Sequence, residues 1–238
     1  ASATPRIRVA DPVYNAQVIC EQAKEAAEHG AKIVVFPELC ITGYTCNDLF
    51  LQELLLEKAK EALLTIAEET GQLETLFLVG LPVDKDGRLY NVAAVLYRGR
   101  ILGMIPKKNI PMYAEFYEGR HFTPGEETVT EYRLGKQVIP FGSNLLFRCE
   151  ELPELILGCE LCEDLWVAEP PSTSHALMGA TVIANLSASN ETVSKDDYRT
   201  LLIKASSARL LCGYIYTSAG EGESTQDLVF GGHDLIAE

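Results

Sequence analysis

Three residues with reactive side chains each follow a largely apolar stretch of the sequence. Glu38 supplies a carboxylate, Lys107 an ammonium and Cys162 a thiol. The preceding stretches are residues 33–37, 101–106 and 155–161. Each has the length and composition of a buried strand, and a side chain where a strand leaves its sheet can point into a cleft. A carboxylate, an ammonium and a thiol at the ends of three strands are the parts of a nucleophilic amidase.

These three side chains suit the hydrolysis of an amide, whose nitrogen is a poor leaving group. A thiolate attacks the carbonyl and leaves a thioester, which divides one difficult step into two easier ones. Because a free thiol is mostly protonated at pH 7, it needs a base or a positive neighbour. In this hypothesis Glu38 takes the Cys162 proton and passes it to the departing ammonia. Lys107 stabilises the thiolate and the oxyanion, and a backbone N–H just after Cys162 completes the oxyanion site.

Composition excludes several other classes of function. The chain has 238 residues, 47% of them hydrophobic, and no Pro-, Gly- or Ser-rich stretch divides it, so we expect a single domain over residues 1–238. The net charge of −14 argues against nucleic acid or an anionic membrane as a partner. No apolar run approaches the roughly 20 residues of a membrane span. The N-terminal segment lacks the apolar core of a signal peptide.

The Cys and His residues predict neither a disulfide framework nor a metal site. The seven Cys are scattered through apolar segments, which favours free thiols in a reducing cytoplasm. The four His are also scattered and lack the His-x3-His spacing of a metal site. Cys159 and Cys162 form a Cys-x-x-Cys, but the sequence offers neither a second ligand pair nor a thioredoxin-like context. We therefore expect Cys159 to pack in the core.

Hydrophobic periodicity predicts an α/β protein. Helices are predicted at residues 15–29, 49–69, 173–178 and 196–211. Strands are predicted at residues 32–36, 76–81, 91–97, 101–105, 144–148, 155–161, 181–186, 213–217 and 228–236. Gly30 is expected to end the first helix, and Asn47 and Asp48 to cap the second. Early alternation of strands and helices, followed by central hairpins, indicates a mixed sheet covered by helices.

Taken together, the motifs resemble the nitrilase, or carbon–nitrogen hydrolase, superfamily, whose Glu-Lys-Cys triad corresponds to Glu38, Lys107 and Cys162. Within it, the chain resembles the N-terminal glutaminase domains of glutamine-dependent NAD+ synthetases. Six segments carry this narrower resemblance: FPEL (36–39), GYTCNDLF (43–50), PKKNIP (106–111), EFYE (115–118), CEDLW (162–166) and SAGEGEST (218–225). Any one of them alone is weak, whereas six in order along nearly the whole chain are strong.

The resemblance implies a four-layer α-β-β-α sandwich with two mixed sheets. It implies hydrolysis of glutamine to glutamate and ammonia, with the ammonia passed to a separate synthetase domain that amidates deamido-NAD+. It places glutamine contacts at Tyr113, Glu163, Trp166 and Ser189: a carboxylate for the α-ammonium, two hydroxyls and an aromatic wall. It implies no cofactor for the hydrolysis, ATP and Mg2+ only in the synthetase domain, and a homo-oligomer.

Other interpretations stay open at this point. Cys162 taken alone would more often be a buried core thiol, and each of the four contact residues is as readily a packing or turn residue. Lys108 is the alternative to Lys107, although the superfamily pattern puts the catalytic Lys directly after Pro106. We expect a domain truncated at both ends and without the synthetase domain, because it starts later and stops earlier than the domains that it resembles. The chain is alternatively a free-standing amidase for another ω-amide, or a non-catalytic assembly module.

Overall fold

The computed structural model describes residues 1–238 and contains two mixed sheets. The strands of the first sheet are β1 (Ile33–Val35), β2 (Leu76–Lys85), β3 (Arg88–Tyr97), β4 (Arg100–Pro106), β5 (Thr130–Leu134) and β6 (Gln137–Phe141). Their order is β1-β2-β3-β4-β6-β5. The β1–β2 and β4–β6 pairs are parallel, and the other pairs are antiparallel.

The second sheet is formed by the later part of the chain. Its strands are β7 (Leu146–Arg148), β8 (Ile156–Leu161), β9 (Val182–Ser187), β10 (Gly213–Ser218) and β11 (Leu235–Ala237), in the order β11-β10-β9-β8-β7. β8, β9 and β10 run parallel, and the two edge strands are antiparallel to their neighbours. The helices are α1 (Pro12–Glu28), α2 (Glu53–Glu69), α3 (Pro171–Leu177) and α4 (Lys195–Leu210). None of them is both long and apolar enough to cross a membrane.

The two sheets stack face to face, and the helices cover their outer faces. α1 and α2 pack on the six-stranded sheet through a core that includes Leu63 and Phe77. Leu78 and Leu161 belong to the apolar layer between the sheets. α3 and α4 pack on the five-stranded sheet around a third core that includes Tyr214. The layers therefore follow the order α-β-β-α, which confirms the predicted fold class.

Most of the predicted elements are present, but two strands were missed and one prediction is largely wrong. β5 and β6 were not predicted because about half of their residues face solvent, so neither is a continuous apolar run. The strand predicted at residues 228–236 is wrong over most of its length. Only Leu235–Ala237 forms a strand there, while Phe230 makes an isolated bridge to Asn190. Gly232 has a φ of +61°, which is incompatible with a continuous strand.

The predicted cap of α2 is also wrong. Residues 44–51 form a 3-10 segment in which Asn47 has a φ of +49°, and the helix begins only at Glu53, without a side-chain cap. The predicted end of α1 is confirmed. Gly30 follows the capping residue His29 with a φ of +85°, a conformation that favours glycine and stops the helix.

Candidate active site

Glu38, Lys107 and Cys162 meet where strands of both sheets end. Glu38 lies three residues beyond β1, and Lys107 and Cys162 directly follow β4 and β8. The Lys107 Nζ lies 2.7 Å from Glu38 Oε1, and all three residues are buried. Cys162 is close enough to both charges for them to shift the pKa of its thiol. The stacking of the two sheets therefore brings together side chains that are far apart in the sequence.

Donors from both sheets fix the Glu38 carboxylate. Asn91 in β3 donates its side-chain N–H to Glu38 Oε1 at 2.6 Å. The Ala188 backbone N–H, just beyond β9, donates to Glu38 Oε2 at 2.9 Å. The Glu38 backbone N–H in turn donates to the Ser187 carbonyl at 3.3 Å. Glu38 is thus held as a hydrogen-bond acceptor in a defined orientation at the junction of the sheets.

The turn that carries Glu38 packs directly on β2 at Gly80. A Cβ at position 80 would lie 2.3 Å from Leu39 N and 2.6 Å from Pro37 O, both well inside van der Waals contact. Leu39 itself has a φ of +52°, in the sparsely populated left-handed region. Only a glycine allows this close approach of two backbones, so Gly80 sets the height of Glu38 above the sheet.

Lys107 also contacts a second buried carboxylate, Glu118, to which the sequence analysis gives no role. The Lys107 Nζ lies 2.7 Å from Glu118 Oε1 and 2.9 Å from Oε2. Tyr44 donates its hydroxyl to Glu118 Oε1 at 2.8 Å. The only sequence signal for Glu118 is its place in the segment EFYE. Lys108, the alternative amine, lies at the surface and pairs with Glu127.

The charges of the site favour an ammonium beside a protonated thiol. Burial alone lowers the pKa of Lys107, but Glu118 and Glu38 outweigh it and hold that pKa well above its ordinary value. Burial raises the pKa of the Cys162 thiol, Glu38 raises it further and Lys107 opposes both. Burial also raises the pKa of Glu118, against the effect of Lys107. A thiol in this setting reacts only if a base takes its proton, and Glu38 is the residue for which the sequence predicts that role.

Cys162 opens a short 3-10 turn, residues 162–165, at the end of β8. Asp164 fixes this turn, because its carboxylate accepts the Leu161 N–H at 3.0 Å and the Asn109 backbone N–H at 2.8 Å. Burial raises the pKa of Asp164 to about 6, although these hydrogen bonds oppose the shift. The N–H groups at the start of such a turn have no partner within it. The Glu163 N–H occupies this position and suits the role of oxyanion donor.

A cleft of about 450 Å³ includes Cys162 in its lining together with all four contact residues that the resemblance implies. These residues are Tyr113, Glu163, Trp166 and Ser189. Tyr113 donates its hydroxyl to both Glu163 oxygens, at 2.9 and 3.1 Å. Ser189 Oγ accepts an N–H from the buried Arg199 at 3.2 Å.

Lys195 is a cleft residue that sequence reasoning missed. It begins α4, lines the same cleft, donates to Asn190 Oδ1 and lies 5.4 Å from the Trp166 ring centroid. Burial lowers its pKa, since the surroundings disfavour the charged form. Nothing in the sequence distinguishes this Lys from an ordinary surface residue at a helix start. Its ammonium gives the cleft a cation to set against the Glu163 carboxylate.

The other cysteines take no part in this arrangement. All seven are free thiols, and Cys159 is buried between the two sheets, as the sequence predicts. No group of three or more His, Cys, Asp or Glu side chains is placed to hold a metal ion.

Comparisons with known proteins agree with the resemblance that the motifs predict. A family model described as carbon-nitrogen hydrolase matches residues 1–237. The glutamine-dependent NAD(+) synthetase of Mycobacterium tuberculosis is 42% identical over 238 residues, which are 100% of this chain and 35% of that protein. The chain therefore spans about a third of the length of this curated relative.

Solved structures give the same result. A glutamine-dependent NAD(+) synthetase from Cytophaga hutchinsonii matches with a TM-score of 0.89 and 29% identity, over 100% of this chain and 38% of that one. An amidase from Nesterenkonia sp. matches with a TM-score of 0.74 and 21% identity, over 99% of this chain and 80% of that one. The latter similarity concerns the fold alone. These matches confirm the predicted superfamily and its NAD+ synthetase branch.

Proposed function

Because the chain belongs to the carbon–nitrogen hydrolase family, we propose that it hydrolyses the side-chain amide of glutamine through a thioester at Cys162. One observation carries the proposal. A buried carboxylate, ammonium and thiol meet beside a cleft that also contains the Glu163 carboxylate and the Lys195 ammonium. These two charges are complementary to the α-ammonium and the α-carboxylate of an amino acid.

In the first half of the reaction, Glu38 accepts the proton of the Cys162 thiol while the sulfur bonds to the amide carbon. The carbonyl π electrons move to oxygen, and the resulting oxyanion is stabilised by the Lys107 ammonium and the Glu163 N–H. When the carbonyl re-forms, the C–N bond breaks. Glu38 returns its proton to the leaving nitrogen, so ammonia departs and a thioester remains on Cys162.

The second half repeats these roles with water. Glu38 takes a proton from the water as its oxygen attacks the thioester carbon. Collapse of the second tetrahedral intermediate breaks the C–S bond and releases glutamate. The sulfur regains a proton from Glu38, which restores the starting state. The hydrogen bonds from Asn91 and Ala188 suit this cycle, because they hold Glu38 in one orientation through both transfers.

We assign the selection of glutamine to the far side of the cleft. Glu163 takes the α-ammonium, with the Tyr113 hydroxyl holding its carboxylate. Lys195 and the Ser189 hydroxyl bind the α-carboxylate. Trp166 forms an apolar wall along the methylene groups. An amide that lacks the two α-substituents cannot make the charged contacts, so it is expected to be a poor substrate.

The relatives, which are named glutamine-dependent NAD(+) synthetases, support a proposal for the fate of the ammonia. We propose that the ammonia serves a synthetase domain that uses ATP and Mg2+ to amidate deamido-NAD+. The seven free thiols support a reducing, cytoplasmic location.

We further propose a homo-oligomer. α3 and α4 expose the apolar side chains of Leu177, Tyr198 and Leu201, which are 85%, 57% and 64% exposed. Light scattering on the wild type and on Leu201→Lys tests this proposal. A wild type that is monomeric at micromolar concentration would refute it.

The proposed function is tested with an electrophilic glutamine analogue, followed by intact-mass measurement and peptide mapping. We expect one adduct, on Cys162, and protection by free glutamine. Cys162→Ala should carry no adduct, whereas Cys159→Ala should label normally. A panel of amides then tests the substrate. Equal rates on glutamine and on simple aliphatic amides would refute the glutamine assignment while leaving the amidase chemistry intact.

A further inference from the structure

Cys162 has a backbone conformation that its side chain does not favour. Its φ is +41°, in the left-handed region that residues other than Gly, Asn and Asp rarely adopt. Such a conformation persists only where the surrounding structure holds it. The residue is also buried, so its backbone N–H needs a partner within the protein. The hydrogen-bond partner of the Cys162 N–H therefore influences the orientation of the thiol.

The partner of the Cys162 N–H is a side chain of the next strand, Asn185 in β9. Asn185 Oδ1 accepts this N–H at 3.2 Å, and it also accepts the Ser187 hydroxyl at 2.7 Å. Asn185 is fully buried and lies opposite Glu160 in the parallel pairing of β8 with β9. The Cys162 N–H is thereby occupied, which leaves the following N–H, that of Glu163, to the oxyanion.

A buried chain of hydrogen bonds determines which end of the Asn185 amide faces Cys162. Glu160 accepts the Ser172 N–H at 2.8 Å and also accepts the Tyr214 hydroxyl. Because the Tyr214 proton is used on Glu160, the Tyr214 oxygen accepts the Asn185 Nδ2–H, at 3.2 Å. The amide nitrogen therefore faces Tyr214, and the amide oxygen faces the nucleophile.

We propose that Asn185 is a positioning residue for the nucleophile, whose side-chain oxygen holds the Cys162 N–H in the left-handed turn that aims the thiol at Glu38 and Lys107. Glu160 and Tyr214 act on the nucleophile indirectly, because they fix the direction of the Asn185 amide. This inference rests on the proposed function in one respect, that Cys162 is the attacking group. It assigns the alignment of the Cys162 thiol in part to Asn185, a residue to which we assign no contact with the substrate.

The direct test is Asn185→Leu, which keeps the volume of the side chain and removes the oxygen. We expect kcat for glutamine to fall at least 30-fold with KM within threefold, because the substrate contacts lie on other segments. The rate of Cys162 alkylation by iodoacetamide should fall as well. Asn185→Asp keeps an acceptor oxygen, so kcat should recover relative to Asn185→Leu. Its added negative charge should move the pH profile of alkylation to higher pH.

The matched control is Thr217→Val. Thr217 is equally buried in the neighbouring strand, but its hydroxyl donates to the Val35 carbonyl at 3.0 Å and does not contact Cys162. It should lose comparable stability while keeping kcat and the alkylation rate. Wild-type kcat and alkylation rate per folded molecule in Asn185→Leu would overturn the proposal and leave Asn185 a purely structural residue.

A second pair of variants decides the question if Asn185→Leu does not fold. Tyr214→Phe removes the hydroxyl that fixes the amide, and Tyr132→Phe removes the hydroxyl of a buried tyrosine in the core of the other sheet, away from Cys162. We expect a fall in kcat without a rise in KM for the first variant only. Equal kcat in the two variants would overturn the proposal.

Alkylation of Cys162 separates this inference from the proposed function. If the wild type does not hydrolyse glutamine, yet Asn185→Leu or Tyr214→Phe slows alkylation relative to its control, the positioning role stands and the substrate assignment falls. If the wild type hydrolyses glutamine and neither variant changes kcat or alkylation, the positioning role alone is refuted.

Discussion

Glu118 holds the Lys107 ammonium through both carboxylate oxygens, at 2.7 and 2.9 Å, whereas Glu38 contacts it through only one oxygen. Lys107 is therefore held by Glu118 as well as by Glu38. In the proposed cycle Glu38 gains and loses a proton twice, and its attraction for the ammonium varies accordingly. A second carboxylate that keeps its place allows Lys107 to stay at the oxyanion site throughout.

Replacing Glu118 tests whether this second carboxylate is needed to hold Lys107. Breaking a buried ion pair by removing one partner costs about 3–5 kcal/mol, and Glu38 still partners Lys107, so we expect Glu118→Gln to lose about 3 kcal/mol of unfolding free energy. We expect kcat to fall about 100-fold because Lys107 becomes mobile. Urea unfolding and steady-state kinetics measure the two effects. Glu127→Gln, which breaks the surface pair with Lys108, should change neither by a measurable amount. A Glu118→Gln variant with wild-type kcat would show that Lys107 needs no second partner.

The pH dependence of thiol reactivity tests the role of Glu38. Its negative charge raises the pKa of the Cys162 thiol, so neutralising it in Glu38→Gln should lower that pKa. The alkylation rate of Cys162 should then rise at a lower pH than in the wild type. Turnover of glutamine should nevertheless fall by about 10²–10⁴-fold, because no base remains to transfer the proton. An alkylation profile that shifts to higher pH in Glu38→Gln would contradict this assignment.

The contribution of Lys195 is expected in KM rather than in kcat. Lys195→Met keeps a long side chain in the cleft but removes the charge that is assigned to the α-carboxylate. Hydrogen bonds to a charged group contribute about 1.5–3 kcal/mol, which corresponds to a rise in KM of about 10- to 150-fold. Lys204→Met, on the exposed side of the same helix, is the matched control and should leave KM unchanged. An unchanged KM in Lys195→Met would remove this residue from substrate recognition.

Gly80 offers a test of how finely the position of Glu38 is set. In Gly80→Ala the new methyl group would lie 2.3 Å from Leu39 N, so either β2 or the Glu38 turn must shift. Forced overpacking of this kind costs about 1–3 kcal/mol, and we expect kcat to fall at least about tenfold. Gly213→Ala in β10 is the control, because the nearest atoms there are 3.8 Å away. Full activity in Gly80→Ala would mean that the Glu38 turn adapts without loss.

The positions of Glu38, Lys107 and Cys162 at strand ends could be predicted from the sequence. A buried strand has a local signature, which is a short apolar run that ends abruptly. The sequence also located the four helices approximately. The stacking of two sheets into four layers came from the resemblance to a superfamily, since no local pattern specifies which sheet faces which. The strands β5 and β6 were not predicted because about half of the residues in each are exposed, so neither forms a continuous apolar run.

The missed residues share a different cause, which is that their roles depend on contacts between distant parts of the chain. Glu118 is defined by its contacts with Lys107 and Tyr44, and Lys195 by its position in the lining of the cleft. Asn185 looks like a strand residue in the sequence, and only the pairing of β8 with β9 brings it to the Cys162 N–H. A carboxylate, an amine and an amide of these types are ordinary surface residues until the fold supplies their partners.

Each sheet is made from one uninterrupted part of the chain: all strands of the first precede residue 142, and all strands of the second follow residue 145. During synthesis, which proceeds from the N-terminus, Glu38 and Lys107 therefore leave the ribosome before the thiol does. Asn185 and Ala188, which fix Cys162 and Glu38, emerge later still. The thiol therefore joins the Glu38–Lys107 ion pair only after the strands of the second sheet have been made.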